Sequence, residues 1–194
     1  ITSIIFLIWL ASFSLKGDKK IVIPTETSDD LMWLLGLYLG DGYGDKSRIY
    51  FAVPEVDEAC NKMNSILKSV FNVAGERKGV VLRIASVDLI RLVKETLGFG
   101  GTAQTKRVPA WVYTLPKSQR QSFIAGYIAA DGHYRENHKN ISITSCNKSL
   151  LEDVKMLAMT CGLDPLKISK WTRREKKPLG KEEKEYTHYY LYFG

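Results

Sequence analysis

Two segments of this chain repeat one pattern 90 residues apart. Residues 33–43 read WLLGLYLGDGY and residues 123–134 read FIAGYIAADGHY, so Trp33 matches Phe123, Gly36 matches Gly126, and Asp41-Gly42 matches Asp131-Gly132. The segments after the two copies also match in kind. The first copy leads through a polar turn to the apolar run 49–53, then to a helical pattern over 56–70 and a strand pattern over 80–84. The second leads to 141–145, then 150–161, then 189–193. The first copy adds a helix over Val87–Leu97 stopped by Gly98, whereas the second reaches Gly194 before any counterpart. A mixed-element repeat of this period implies one pseudo-symmetric α+β unit of two fused halves. The divisions are an N-terminal segment 1–27, a first half 28–100, a linker 101–116 and a second half 117–194.

The two matched stretches, 29–41 and 118–131, are nearly all apolar after their starts, as buried helices are. Gly36 and Gly40 are four apart, as are Gly126 and Ala130. Small residues at that spacing leave a bare helix face on which another backbone can approach closely. Each helix then ends in Asp-Gly. Gly is an ordinary stop there. Asp is not, because the C-terminal end of a helix carries partial negative charge. Two carboxylates held at matched helix ends ask for a cation, and Asp is a hard oxygen ligand suited to Mg²⁺.

The chain carries 28 Lys and Arg against 21 Asp and Glu, a net charge of +7, which points weakly to a polyanion. The three cysteines are odd in number and lack CxxC spacing, which suits a reduced, intracellular protein without structural zinc. Residues 1–15 are uncharged but too short to span a membrane and have no basic residues before them. A buried strand or hairpin, a membrane anchor and a packing surface all remain open for them. The next segment reads as a Gly-Asp turn and a short strand ending at Pro24.

LLGLYLGDG (34–42) and IAGYIAADG (124–132) resemble the two signature motifs of the LAGLIDADG homing endonucleases, in the monomeric, two-motif form of that family. The resemblance runs from about Ser28 to Gly194. It implies αββαββα repeats, with antiparallel sheets forming a saddle over DNA and the two motif helices at the interface. It implies a metal-dependent, site-specific double-strand break with 3′ overhangs in a long asymmetric site. Asp41 and Asp131 would hold two or more divalent ions, Mg²⁺ first, with the Gly40 and Ala130 carbonyls as helpers. The sixth motif position, Leu39 and Ala129, departs from the family name but is not the catalytic one.

Several relatives place a basic residue on the strand where Arg83 stands, so Arg83 takes a catalytic and DNA-binding role; the matching position in the second half falls near Tyr192, which is not basic. Eight Lys and Arg between Lys167 and Lys184, with Trp171 and Tyr186 beside them, read as a hairpin loop along the DNA backbone or as a solvated charged loop. The expected DNA contacts are Lys46, Arg48, Arg83, Arg135, Lys139, Lys148, Lys170, Arg173, Arg174, Lys176 and Lys177. Double-stranded DNA is the expected partner of a monomer that takes no small-molecule substrate, placed in a prokaryotic cytoplasm, an organelle or a nucleus. The rival is a non-cleaving relative, such as an RNA maturase or a degenerate endonuclease. Intron and intein settings are both open; no N-terminal Cys or Ser and no terminal His-Asn for protein splicing is present.

Overall fold

The structure, a computed structural model, describes residues 15–16, 21–56, 58–176 and 183–194. Helix α1 (Asp29–Asp41) starts where the Ser28 hydroxyl accepts the Leu31 N–H at 3.1 Å, with Asp29 and Asp30 in the first turn. A cap and early carboxylates are what a helix N-terminus favours. Leu31 through Leu39 are buried without interruption. Gly42 then opens strand β1 (Gly42–Gly44) with no intervening loop.

β2 (Arg48–Phe51), α2 (Glu58–Phe71), β3 (Glu76–Lys78) and β4 (Val81–Ala85) come next. Helix α3 (Val87–Arg91) continues as a π turn over Leu92–Thr96. A short 3₁₀ helix (Ala110–Thr114) precedes α4 (Lys117–Asp131), which runs into β5 (Gly132–Arg135) as α1 runs into β1. The chain continues with β6 (Asn140–Ser145), α5 (Lys148–Thr160), β7 (Ser169–Lys176) and β8 (Glu183–Phe193). The sheets are antiparallel, in the orders β1-β2-β4-β3 and β5-β6-β8-β7.

Register ties the two sheets together. Gly42 pairs with Phe51 and Gly132 with Ile143; Tyr50 then pairs with Arg83, and Ser142 with Tyr192. The expected alignment of Arg83 with Tyr192 therefore holds in the backbone pairing. Two expectations change. The basic segment expected as a loop is strand where it is described, in β7 from Ser169 to Lys176 and at the start of β8, because Trp171, Thr172, Tyr186 and Thr187 are residues that fit a pleated ladder. Ile21–Pro24 is irregular rather than a strand and is tied to α2 by a backbone bond, Val22 N–H to Phe71 O at 3.0 Å. The readings offered for residues 1–14 and for the Gly17-Asp18 turn lie outside the described residues. No helix among those described is long and apolar enough to cross a membrane.

The seam between α1 and α4 sets the position of everything else. A Cβ added at Gly36 would lie 2.0 Å from the Phe123 carbonyl oxygen, and one at Gly126 would lie 1.9 Å from that of Trp33. The matched glycines thus let the backbones touch reciprocally, as the spacing anticipates. At Gly40 an added Cβ would lie 2.5 Å from the Ala130 Cβ, so contact persists to the helix ends that carry Asp41 and Asp131.

Candidate active site

Helix crossing at small residues brings the two Asp-Gly ends together. The Asp131 carboxylate reaches across the seam, with Oδ2 only 3.1 Å from where a Gly40 Cβ would stand. Burial raises the Asp131 carboxyl above its ordinary value, and the Tyr127 hydroxyl and Lys106 ammonium offset part of that rise. Among the described residues the buried Tyr127 hydroxyl completes hydrogen-bond geometry to no partner. Asp41 sits at the matching end of α1, where its carbonyl accepts the Ala52 N–H at 3.1 Å.

Lys106 is the cation of this site, and the sequence did not mark it. Its side chain is buried, 6% exposed. The ammonium donates to the carbonyls of Gly42 at 2.6 Å and Leu39 at 2.9 Å, with Tyr38 at 3.3 Å and Gly40 at 3.5 Å. The Tyr38 carbonyl also accepts the Gly42 N–H, but Leu39 and Gly40 are among the carbonyls that an α-helix leaves without intrahelical partners, so Lys106 caps α1 from outside it. Burial lowers the Lys106 pKa, and Asp131 and then Asp41 work against that lowering. Neighbours fix the linker around it. Asn147 donates from Nδ2 to the Lys106 carbonyl at 2.8 Å while its Oδ1 caps α5 through the Leu150 N–H at 3.1 Å. Arg107 grips Asp153 through Nε at 2.6 Å and a terminal nitrogen at 2.7 Å. A lysine in the linker run Lys106-Arg107-Val108-Pro109 carries no local signal of this role, since its burial comes from the helix ends that close over it.

A cavity of about 220 Å³ opens beside the seam, lined by Gly40, Lys106, Asp131, Ser145, Cys146 and His188 among others. Ser145, Cys146 and His188 come from β6, the loop after it and β8. His188 is a second residue that the sequence left unmarked.

Two carboxylates and adjoining helix-end carbonyls form a hard-oxygen donor set. No group of three or more His, Cys, Asp or Glu that could hold a metal occurs among the described residues. Mg²⁺ commonly keeps several waters and takes one or two carboxylates plus substrate phosphates. The residues present fit that habit, and the raised Asp131 pKa marks a carboxylate whose charge a cation would stabilise.

The other predicted residues are spread over both sheets. Arg83 pairs with Glu76 on the exposed face of the first sheet, next to Tyr43 and Tyr50, whose rings stack at 4.7 Å. Lys46 is exposed in the β1–β2 turn, and Arg48 lies 3.9 Å from Asp45. Arg135 stands over the Tyr192 ring at 5.3 Å, and Lys139 closes the next turn at φ 48°. Lys148 begins α5 and pairs with Glu152 at 2.9 Å. On the β7–β8 hairpin, Arg173 alternates to the face of His188, while Lys170 and Arg174 take the opposite face. Lys176 pairs with Glu183 in the ladder, and Lys177 is outside the described residues.

Residues 118–190 match the LAGLIDADG-like domain family. The chain is 35% identical over 161 residues to an iron-sulfur cluster assembly SufBD family protein of Mycobacterium leprae, covering 77% of this chain and 18% of that protein. It is 27% identical over 157 residues to the glutamine–fructose-6-phosphate aminotransferase of Methanocaldococcus jannaschii, covering 77% and 14%. It is 31% identical over 153 residues to the DNA polymerase II large subunit of Thermococcus kodakarensis, covering 74% and 8%. The chain therefore spans less than a fifth of the length of these relatives. Among solved structures, mesophilic variants of the homing endonuclease I-DmoI superpose with a TM-score of 0.53 at 19% identity, covering 86% of this chain and 88% of theirs. I-DmoI in complex with DNA and Mn superposes at 0.52 and 19% identity, covering 86% and 89%. Full-length DUF199/WhiA from Thermatoga maritima superposes at 0.54 and 12% identity, covering 85% and 50%. With a LAGLIDADG-like domain over residues 118–190 and this architecture throughout, the chain has a LAGLIDADG homing endonuclease-type fold.

Proposed function

We propose that the chain is the endonuclease part of a mobile insertion, cutting both strands of a long asymmetric DNA site as a monomer. The observation that carries this is the pair of carboxylates, Asp41 and Asp131, brought together where two helices touch backbone to backbone. One acidic site per strand is what a staggered double-strand break requires. Asp41 and Asp131 would hold divalent ions, Mg²⁺ first, with the Gly40 and Ala130 carbonyls beside them. When bound, such ions activate water and stabilise charge on the phosphate and the leaving oxygen. Lys106 keeps the end of α1 closed and holds positive charge near the carboxylates. Arg83 and the basic residues of both sheets would contact the DNA, where phosphate neutralisation dominates affinity.

The setting inside a host gene rests on the company that the chain keeps. About 150 residues of it recur within proteins of unrelated named activity, each several times longer. That distribution fits an inserted element better than a component of any one host activity.

A second reading, DNA or RNA binding without cleavage, draws support from the second sheet. There Tyr192 stands where the first has Arg83. Incubation with a plasmid library of candidate insertion sites in Mg²⁺ decides between them. Linear product that disappears with Asp41→Asn plus Asp131→Asn supports the endonuclease. Tight binding with no cleavage under any divalent ion supports the second reading, and cleavage that survives both substitutions removes the assignment of the aspartates.

A further inference from the structure

The two sheets are unequal in reach. In the first, Lys78 pairs with Val81 and the chain turns back at Gly79, whose φ of +60° makes a tight reversal. By register, the matching pair in the second sheet is Ser169 with Tyr190. There the ladder does not turn. It continues for seven more pairs, from Lys170–Tyr189 to Lys176–Glu183. At the rise of an antiparallel strand, this arm extends roughly 20 Å beyond the end of its counterpart.

The arm's faces differ. On one, Arg174 lies 3.5 Å from Glu185 and the hydroxyls of Thr172 and Thr187 lie 3.4 Å apart, so its polar groups answer one another. The other carries Trp171, His188, Tyr186 and Arg173 in cross-strand pairs. Trp171 is 47% exposed and Tyr186 37%. His188, at the base, lines the cavity that holds Asp131 and Lys106. The aromatic and basic face is therefore continuous with the acidic site. Alternating rings and arginine suit a nucleic acid, offering contact to sugar and base edges as well as to phosphate.

We propose that this arm lies along the DNA flank on the Asp131 side, making the protein's footprint longer at one end by about six base pairs at a ~3.4 Å rise. This rests on the DNA-binding part of the proposed function but not on cleavage. The probe is a duplex recovered from a randomised pool by binding to the wild-type chain in Ca²⁺, trimmed stepwise from either end and footprinted. Two variants are compared: one in which an Asn-Gly turn replaces residues 172–187, and Trp171→Ala with Tyr186→Ala, which keeps the backbone. Both are first checked for cooperative unfolding. The expected result is that each loses protection at one end only. The double substitution should weaken binding about tenfold on the full duplex and less than twofold on a duplex lacking that flank. Equal loss at both ends, or a tenfold loss that persists after trimming, overturns the arm assignment while DNA binding stands. Failure of the wild-type chain to enrich any duplex overturns both. Binding without cleavage removes only the endonuclease reading.

Discussion

At the seam the two halves of the molecule are close to interchangeable, and at their outer edges they are not. Gly36 and Gly126 each receive the other helix's backbone at nearly the same distance, and each Asp-Gly leads directly into a strand with matching register. Away from the seam, Arg83 with Glu76 faces Tyr192 with Arg135 as counterpart, and a tight turn at Gly79 faces a seven-pair arm. The contrast has a physical origin. A close backbone approach is a mutual constraint, so a larger residue on either helix pushes both apart. The exposed face of each sheet has no such internal partner and is shaped only by what lies opposite it.

The sharpest way to break that comparison is to add one methyl group on each side of it. Gly36→Ala gains about 1 kcal/mol of helix propensity but places a Cβ 2.0 Å from the Phe123 carbonyl. Overpacking of that kind costs about 1–3 kcal/mol or more, and a backbone atom cannot swing away. With the cost at the upper end of that range and the propensity gain subtracted, net destabilisation of about 2 kcal/mol is expected in denaturant unfolding, with the same for Gly126→Ala. Gly79→Ala has nothing within 4 Å of its new Cβ and should cost only the ~1–2 kcal/mol of a left-handed conformation. A Gly36→Ala variant as stable as the wild type would mean that the seam can open, and the reciprocal constraint would be lost.

Next in size is Lys106, a cation that breaks the symmetry of the seam itself. Lys106→Met leaves the carbonyls of Leu39 in α1 and of Gly42 just beyond it without this donor in a buried place, at about 1–3 kcal/mol. Arg107→Ala, one residue on, removes a half-exposed ion pair whose Asp153 carboxylate keeps the Val108 N–H, and should cost about 1 kcal/mol. Equal losses in thermal unfolding would show that the linker as a whole, rather than the ammonium, holds the helix end.

These cases show what was legible in the sequence. The motif helices and their aspartates were readable because local pattern and a repeat spoke together. The pairing of Arg83 with Tyr192 came from counting along matched strands. Lys106 and His188 were not readable, since each becomes part of the site only when distant segments close over it. The basic run 167–184 misled for a different reason: its charge suggested a loop, and the adjacent pairs Trp171-Thr172 and, just beyond it, Tyr186-Thr187 break any strict alternation, so only the aromatic and β-branched residue types pointed to a strand. Charge described the solvent-exposed surface and said little about the backbone.

The arm offers a finer comparison within one strand. Arg173 shares the face of His188, whereas Arg174 points the other way toward Glu185. Under the DNA reading, Arg173→Ala should lower the slope of log affinity against log salt by about 1, and Arg174→Ala should leave it nearly unchanged. Equal slopes for the two variants would mean that DNA does not select between the faces.

The smallest effect is expected at Asp131, and its sign is opposite to the others. Burial raises the folded-state pKa of this carboxyl above its unfolded value, by more than Lys106 and Tyr127 draw it down. The folded chain therefore holds that proton more tightly than the unfolded chain. The associated stability is fully present below the unfolded carboxyl pKa and is lost as pH rises through the folded one. At neutral pH the wild type carries an ionised, partly desolvated carboxylate that Asp131→Asn lacks. The variant should melt higher than the wild type at pH 7 without divalent ions, and the gap should close as pH falls below about 4. Adding Mg²⁺ should raise the wild type alone, because a ligand bound only by the folded state stabilises it by mass action. A variant that melts lower than the wild type at pH 7 without metal would mean that the Lys106 ammonium outweighs burial. The carboxylate would then be at rest in the site, with no cation needed beyond the one the linker already supplies.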